Sequence, residues 1–175
     1  MARSRRLKIA FIFLLLALSF QMAKKASFAA RVYGQSMMPT LEENDYILGV
    51  RIPHHKGKVG RLLRHLLLTR GSMILVRPPA HLQRLEVKRI DGVYGDLRNW
   101  GWGDAYTGSQ QIPEDHLFII GDAVQNIADI KSNTNIPLGP PADSRHYGPC
   151  PSTSVVARVF LRFWPLLRIN FLWNA

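Results

Sequence analysis

The pattern of hydrophobic and polar positions divides the chain into one continuous apolar run near the amino terminus and several short runs after residue 30. The apolar run extends from Ile9 to Ala23 and ends at Lys24 and Lys25. Beyond it, residues typical of turns separate short apolar or alternating runs at 30–33, 46–50, 73–76, 85–90, 116–120 and 155–163. The pattern therefore predicts a mainly β domain that follows a hydrophobic amino-terminal segment.

The amino-terminal segment, residues 1–25, suits two kinds of membrane targeting. At ~1.5 Å per residue, a helix from Ile9 to Ala23 spans about 22 Å, which is less than the roughly 30 Å hydrocarbon core of a bilayer. Basic residues precede the run, and small residues at 26–30 would also suit a cleavable secretory signal. A single-pass anchor with a cytoplasmic amino terminus and a cleaved signal both stay open. In either case residues 26–175 cross to the extracytoplasmic side.

Two stretches depart from the strand pattern. Residues 58–70 (KVGRLLRHLLLTR) carry leucines at helical spacing beside basic residues, which predicts a small helical insertion. This helix either packs its leucines on the domain or presents a basic amphipathic face to a membrane. Residues 123–141 are polar and rich in proline and glycine, which predicts a long surface loop.

Composition narrows the possible partners and cofactors. Lys and Arg number 23 against 12 Asp and Glu, a net charge of +11, which favours an anionic partner. No helix-turn-helix, zinc-finger or RNP motif is present in the sequence, so we expect membrane lipid and not nucleic acid. The single cysteine, Cys150, excludes an intramolecular disulfide, and the six histidines show no metal-ligand spacing. We therefore predict neither a metal site nor a cofactor.

The candidate chemistry begins at residues 34–41, which read GQSMMPTL. The serine of this segment is a nucleophile only if a base lies within hydrogen-bond reach. A lysine can be that base only as the neutral amine, which burial in an apolar site without an acidic partner favours. Lys88 lies in an alternating run, LEVKRI at 85–90, where Glu86 and Lys88 share one face of the predicted strand. Alternation alone does not show that Lys88 is buried.

These segments resemble those of the type I signal peptidases. Ser36, Met37, Pro39, Thr40 and Leu41 match the S-M-x-P-T-L segment that carries the family's nucleophile. Further segments that are similar to family motifs follow in the same order, at 70–79 (RGSMILVRPP), 87–96 (VKRIDGVYGD), 112–122 (IPEDHLFIIGD), 143–149 (DSRHYGP) and 156–165. The resemblance covers residues 30–168, which is nearly all of the chain beyond the hydrophobic segment.

The resemblance implies a mainly antiparallel β fold and a serine–lysine dyad. Ser36 would be the nucleophile and would supply one backbone N–H to the oxyanion, and Lys88 would be the general base. Four further residues would support the site structurally: Gly121, Asp122, Asp143 and Arg145.

The chain departs from the family pattern at four positions. Ser72 replaces the aspartate of R-G-D, Tyr94 the proline of P-G-D, and Ala123 the asparagine of G-D-N. A serine that helps to orient the lysine amine in the family is replaced by Pro141. Either a hydroxyl from the 123–141 loop, such as that of Ser132 or Thr134, takes the place of this serine, or the amine of Lys88 is held less well.

The predicted function is that of a membrane-bound serine endopeptidase that removes signal peptides from exported preproteins. Its substrates would carry small residues at the first and third positions before the cleaved bond. Two alternatives stay open. One is a processing peptidase specialised for few substrates, either of the mitochondrial inner-membrane type, which the segment 147–151 (YGPCP) favours, or of the conjugative-transfer type. The other is a membrane-anchored binding module that kept the fold and lost turnover. A bacterial cell or inner membrane is the expected location.

Overall fold

The computed structural model describes residues 2–53, 57–79, 83–100, 109–123 and 143–172. It begins with helix α1, Ala2–Ala26, which contains the apolar run. The side chains of residues 11–26 are exposed. Within the part of the chain that is described, no helix is both long and apolar enough to cross a membrane. The helix of the predicted anchor is therefore present, whereas its membrane-spanning character is not supported.

A mainly antiparallel β domain follows α1 and confirms the predicted β-rich fold. Its described strands are β1 (Ser27–Arg31), β2 (Tyr46–Arg51), β3 (Met73–Val76), β4 (Glu86–Gly92), β5 (Leu97–Asn99), β6 (Ser109–Gln111), β7 (His116–Ile120), β8 (Cys150–Pro151), β9 (Val155–Trp164) and β10 (Asn170–Phe171). Helix α2 covers Lys58–Leu67, and the short helix α3 covers Ser144–Tyr147. Two 3-10 turns, Ser152–Ser154 and Leu166–Arg168, flank β9.

The main sheet has the strand order β1-β2-β9-β3-β4-β7-β8, with β10 paired to β9, and β5 and β6 form a separate hairpin. Every strand pair described is antiparallel. The long strand β9 pairs with both β2 and β3, so it lies at the centre of the sheet.

The buried apolar side chains form two clusters. One packs side chains of β3, β4, β7 and β9, including Ile74, Ile90, Ile119 and Val155. The other includes Met37, Leu41 and Ile47, and so joins the segment after β1 to the sheet. The alternating burial of β4 places Lys88, Ile90 and Gly92 on its buried face, as period-2 geometry requires.

The 123–141 loop predicted from the sequence lies outside the described residues, except for Ala123 at its start. Helix α2 falls within the predicted insertion at 58–70, and its cap residue Leu68 ends it. Two of its leucines, Leu62 and Leu66, point outward with exposed fractions of 59% and 60%.

Candidate active site

An open cleft of about 700 Å³ brings together five of the six predicted site residues. Its lining includes Ser36, Lys88, Gly121, Asp143 and Arg145. The sixth residue, Asp122, forms an ion pair with Arg89. Residues that are distant in sequence therefore meet in one cleft.

Ser36 is held in place by the residues that follow it. Its own side chain is exposed, whereas Met37 is 2% exposed and Leu41 is fully buried in the core. The backbone N–H groups of Met38 and Leu41 donate to the carbonyls of Gln35 and Met37, at 3.0 and 2.8 Å. The two apolar side chains thus fix a tight turn that presents Ser36 at the surface of the cleft.

The backbone at residues 121–123 packs directly against Ser36. The N–H of Ala123 donates to the Ser36 carbonyl oxygen at 3.1 Å. A Cβ placed on Gly121 would lie 2.6 Å from that same oxygen, so a larger residue would displace backbone. The close approach gives a physical reason for glycine at position 121.

Lys88 is buried, with 4% of its surface exposed, and lies on β4 opposite Ile74 of β3. Burial of a lysine is rare and needs a compensating interaction. Here the Nζ atom lies 3.4 Å from Oε2 of Glu86, whose side chain is 20% exposed. The sequence interpretation expected a base without an acidic partner, and on this point the interpretation was wrong. Alternation had placed the two residues on one face, and this was the signal for the pair.

Arg89 and Asp122 join β4 to the end of β7. The guanidinium donates to both carboxylate oxygens, with Nε at 2.7 Å and Nη2 at 2.6 Å. Arg89 also donates to the carbonyl of Gly71 at 2.9 Å and lies 3.5 Å from Oγ1 of Thr40. Arg89, the residue after Lys88, thereby holds the segment that carries Ser36.

Asp143 is the first residue of the segment 143–149. Its carboxylate is 5% exposed, forms a bidentate ion pair with Arg145, and accepts the Gly121 N–H at 3.2 Å. The side chain also caps α3 by accepting the Arg145 N–H. Burial would raise the pKa of Asp143. The hydrogen bonds and the charge of the Arg145 guanidinium, together with the backbone N–H groups of Gly121 and Arg145, outweigh this effect and hold the pKa below its usual value. Next to it, Ser144 Oγ accepts the Ile119 N–H at 2.9 Å.

A second brace, which sequence reasoning missed, holds the far end of the Ser36 segment. Arg162 is 9% exposed and donates to the Thr40 carbonyl at 2.7 Å, and it pairs with the buried Asp45 at 3.4 Å. Arg168 lies 3.3 Å from the other carboxylate oxygen of Asp45. The signal in the sequence was Arg162, a charged residue inside the alternating run 155–163. Its partners, Thr40 and Asp45, lie more than a hundred positions away, so the sequence did not identify them.

Two strand edges face the cleft with unpaired backbone. β1 pairs with β2, and no other described strand pairs with it. In β4, residues 86–88 pair with β3, while pairing with β7 begins at Arg89. Both edges contribute lining residues, Phe28, Ala30 and Arg31 from β1 and Glu86 to Lys88 from β4. An extended peptide could therefore form main-chain hydrogen bonds with either edge.

Several predicted features cannot be placed. Pro141, Ser132 and Thr134, and with them the group predicted to orient Lys88, lie outside the described residues. Among the described residues no cluster of three or more His, Cys, Asp or Glu side chains could hold a metal ion.

Comparison with known proteins relates this arrangement to peptidases. The family described as "Signal peptidase, peptidase S26" matches residues 4–97, a span that contains both Ser36 and Lys88. The chain is 34% identical over 139 residues to the mitochondrial ATP-independent inner membrane protease subunit 1a of Arabidopsis thaliana, covering 77% of this chain and 68% of that protein. It is 26% identical over 140 residues to the human mitochondrial inner membrane protease subunit 1, covering 79% and 70%.

A bacterial relative matches over a similar span. Signal peptidase I of Leptolyngbya laminosa is 24% identical over 153 residues, which is 81% of this chain and 71% of that protein. The family match alone spans more than half of the chain. The chain belongs to the signal peptidase family, peptidase S26.

Proposed function

We propose that this protein is a serine endopeptidase that cleaves signal-peptide-like segments from preproteins with a Ser36–Lys88 dyad. One observation carries the proposal: an exposed serine on a braced turn and a buried lysine line the same open cleft. A fixed nucleophile beside a shielded amine is the arrangement that serine–lysine hydrolysis needs.

In the proposed reaction, Lys88 Nζ takes the proton of the Ser36 hydroxyl as Oγ attacks the carbonyl carbon of the cleaved peptide bond. The Ser36 N–H donates to the oxygen that becomes negative. The amine product leaves with the proton from Lys88, and an acyl-enzyme ester remains on Ser36. Water then attacks this ester as Lys88 accepts its proton; Lys88 returns that proton to Ser36 Oγ, and the carboxylate product is released.

We propose that the substrate binds as an extended chain between β1 and the start of β4. The free edges of these strands support main-chain pairing. The apolar wall between them, formed by Ala30, Met37, Ile47 and Leu75, suits small side chains such as alanine.

The setting is proposed to be a membrane. Relatives of the chain are named as inner membrane proteases, and the large apolar side chains of α1 between Phe11 and Met22 are exposed. Attachment through α1 and contact with membrane lipid follow from this proposal. The bacterial location and the single-pass topology with a cytoplasmic amino terminus stay predictions.

A peptidase specialised for few substrates is the second candidate. It is supported by the mitochondrial names among the relatives and by the segment 147–151, which follows the Asp143 motif. A general signal peptidase should cleave many preproteins at comparable kcat/KM, whereas a specialised enzyme should cleave one far better than the others.

The test is cleavage of a model preprotein, with alanine at the first and third positions before the cleaved bond, by the full chain in a neutral detergent. Ser36→Ala, Lys88→Ala and Lys88→Arg should each lower kcat/KM by at least about 10³-fold, since the dyad works as a unit and arginine does not become neutral. Ser109→Ala and Lys25→Ala, which change exposed residues outside the cleft, are the matched controls. Turnover by folded Ser36→Ala would remove the dyad assignment, and a folded wild type without turnover would favour the binding module.

A further inference from the structure

A second groove, of about 590 Å³, lies between α2 and the region around β7 and the turn after β8. Six basic side chains line it: Lys58, Arg61, Arg64, His65, Arg70 and His116. The peptidase chemistry proposed above uses none of these residues. The groove therefore calls for a separate explanation.

Arg64 is the central feature of this groove. It is 9% exposed, and its buried Nε atom has no hydrogen-bond partner among the described residues. Ser152, which also lines the groove, is 5% exposed, and its buried Oγ likewise has no partner there. A guanidinium stays charged in proteins, and a buried donor without an acceptor is unfavourable. An arginine and a hydroxyl that line one cavity in this state form a binding site for an anion that supplies several acceptor oxygens.

The acidic residues of the groove do not satisfy Arg64. Glu114 and Asp115 also line it, but both are exposed. Neither forms an ion pair within 4.0 Å of Arg64 among the described residues. The basic side chains outnumber these two acids, so the groove favours an anion from outside the chain.

The outer face of α2 indicates where that anion comes from. Val59, Leu62 and Leu66 are exposed at 70%, 59% and 60%, next to the basic residues that line the groove. A helix with apolar side chains outward and cations beside them is typical of contact with an anionic bilayer surface. The buried residues of this helix are Gly60 and Arg64, and two of its leucines face outward, unlike a helix packed only for a soluble core.

We propose that this groove binds the phosphate of an anionic phospholipid, held by Arg64 and Ser152, while Val59, Leu62 and Leu66 enter the bilayer interface. The site lies on the basic helical insertion and does not depend on the peptidase function. Lipid binding there would dock the domain at a second point besides α1.

The test places an environment-sensitive fluorophore on Leu66→Cys in the full chain and measures quenching by brominated lipid. Cys150 is 1% exposed, so the introduced thiol is the one that labels in the folded protein. Vesicles of phosphatidylcholine are compared with vesicles that contain phosphatidylglycerol. Because α1 is itself basic, the contribution of α2 is separated by the Arg64 variants, which leave α1 unchanged. Quenching should be strong with phosphatidylglycerol and weak without it.

Arg64→Gln should weaken the phosphatidylglycerol-dependent signal about fivefold, the effect expected for one cation near an anionic surface. Arg64→Lys should keep most of the signal because it keeps the charge, and Ser152→Ala should weaken it without removing a charge. The control Arg77→Gln, an exposed arginine outside the groove, should leave it unchanged. Circular dichroism checks that each variant is folded.

Three outcomes would overturn the proposal. The first is equal quenching in both vesicles, and the second is an unchanged signal in folded Arg64→Gln. The third is an Arg64-dependent rise in Tm with inorganic phosphate, or with an acidic peptide, while residue 66 remains unquenched by lipid. That third result would identify a site for a soluble anion or for a protein partner.

Discussion

Gly121 is the residue where the smallest change should most disturb the proposed nucleophile. Gly121→Ala should lower kcat/KM by about 100-fold, because the new Cβ would press on the Ser36 carbonyl at 2.6 Å and misplace Oγ by a fraction of an ångström or more. Hydrolysis of the model preprotein measures the effect. Gly95→Ala is the control, because a Cβ there meets nothing nearer than 3.9 Å. Gly95 has a φ of 90°, so alanine at this position costs some stability but changes no residue of the cleft. Wild-type kcat/KM in Gly121→Ala would contradict the proposed role of this contact.

Glu86 is the residue whose negative charge lies against the proposed base. The Glu86 carboxylate lies 3.4 Å from the Lys88 amine and holds it in position. Glu86→Gln should therefore lower kcat/KM by about tenfold, because the amine loses its charged contact and is placed less accurately. The readout is kcat/KM for the model preprotein, with Glu43→Gln, an exposed carboxylate, as the control.

An unchanged kcat/KM in folded Glu86→Gln would contradict this positioning role. No histidine is among the described residues that line the cleft. A profile that rises near pH 6.5 and changes in His116→Ala or His146→Ala would therefore contradict the lysine mechanism.

At the scale of elements, strand β1 bears on whether the amino terminus is cleaved. The small residues at 26–30 that suit a signal cleavage site lie almost wholly in β1, which pairs with β2 through five residue pairs and lines the cleft. Cleavage after Ala30 would remove all but one residue of this strand. We therefore expect the mature protein to keep Ser27–Arg31. Intact mass and amino-terminal sequencing of the purified protein measure this, and a sequence that begins at Arg31 would show a cleaved signal.

At the scale of the whole molecule, Asp143 contributes to global stability. Its carboxylate links the start of α3 to the backbone of Gly121, just after β7. Its pKa in the folded protein lies below the usual value, so the ionised carboxylate stabilises the fold at pH values above the unfolded pKa of about 3.9. This contribution is lost as the pH falls through the lower pKa of the folded state.

Asp143→Asn should lower the free energy of unfolding at pH 7 by about 1–3 kcal/mol, since buried donors lose a charged partner. The difference from wild type should be smaller at pH 2 than at pH 7, because the wild-type carboxyl takes up protons as the pH falls towards its lowered pKa. Urea denaturation at the two pH values measures it, with Glu43→Gln as the control. An equal difference at both pH values would show that the charge is not the cause.

Local pattern was sufficient for most of the long strands. Periodicity and turn residues predicted Met73–Val76 and His116–Ile120 with the observed bounds, and it located the strands Tyr46–Arg51 and Val155–Trp164 to within one residue. It missed β5, β6, β8 and β10, which have two or three residues each, because runs that short carry no detectable period. It also placed β1 three residues too late, at 30–33 instead of Ser27–Arg31, since α1 passes into β1 without a turn residue.

The sequence by itself determined the family, the β-rich fold and the candidate dyad, because those are carried by residue types at fixed spacing. Tertiary structure alone decided which charges meet. It placed Glu86 against Lys88, Asp143 on the backbone of Gly121, and Arg162 on the Ser36 segment. It also buried Arg64 in α2 and turned Leu62 outward, although helical spacing permitted either face to be buried. The physical reason is that burial and ion pairing depend on neighbours from distant parts of the chain, which a linear pattern does not contain.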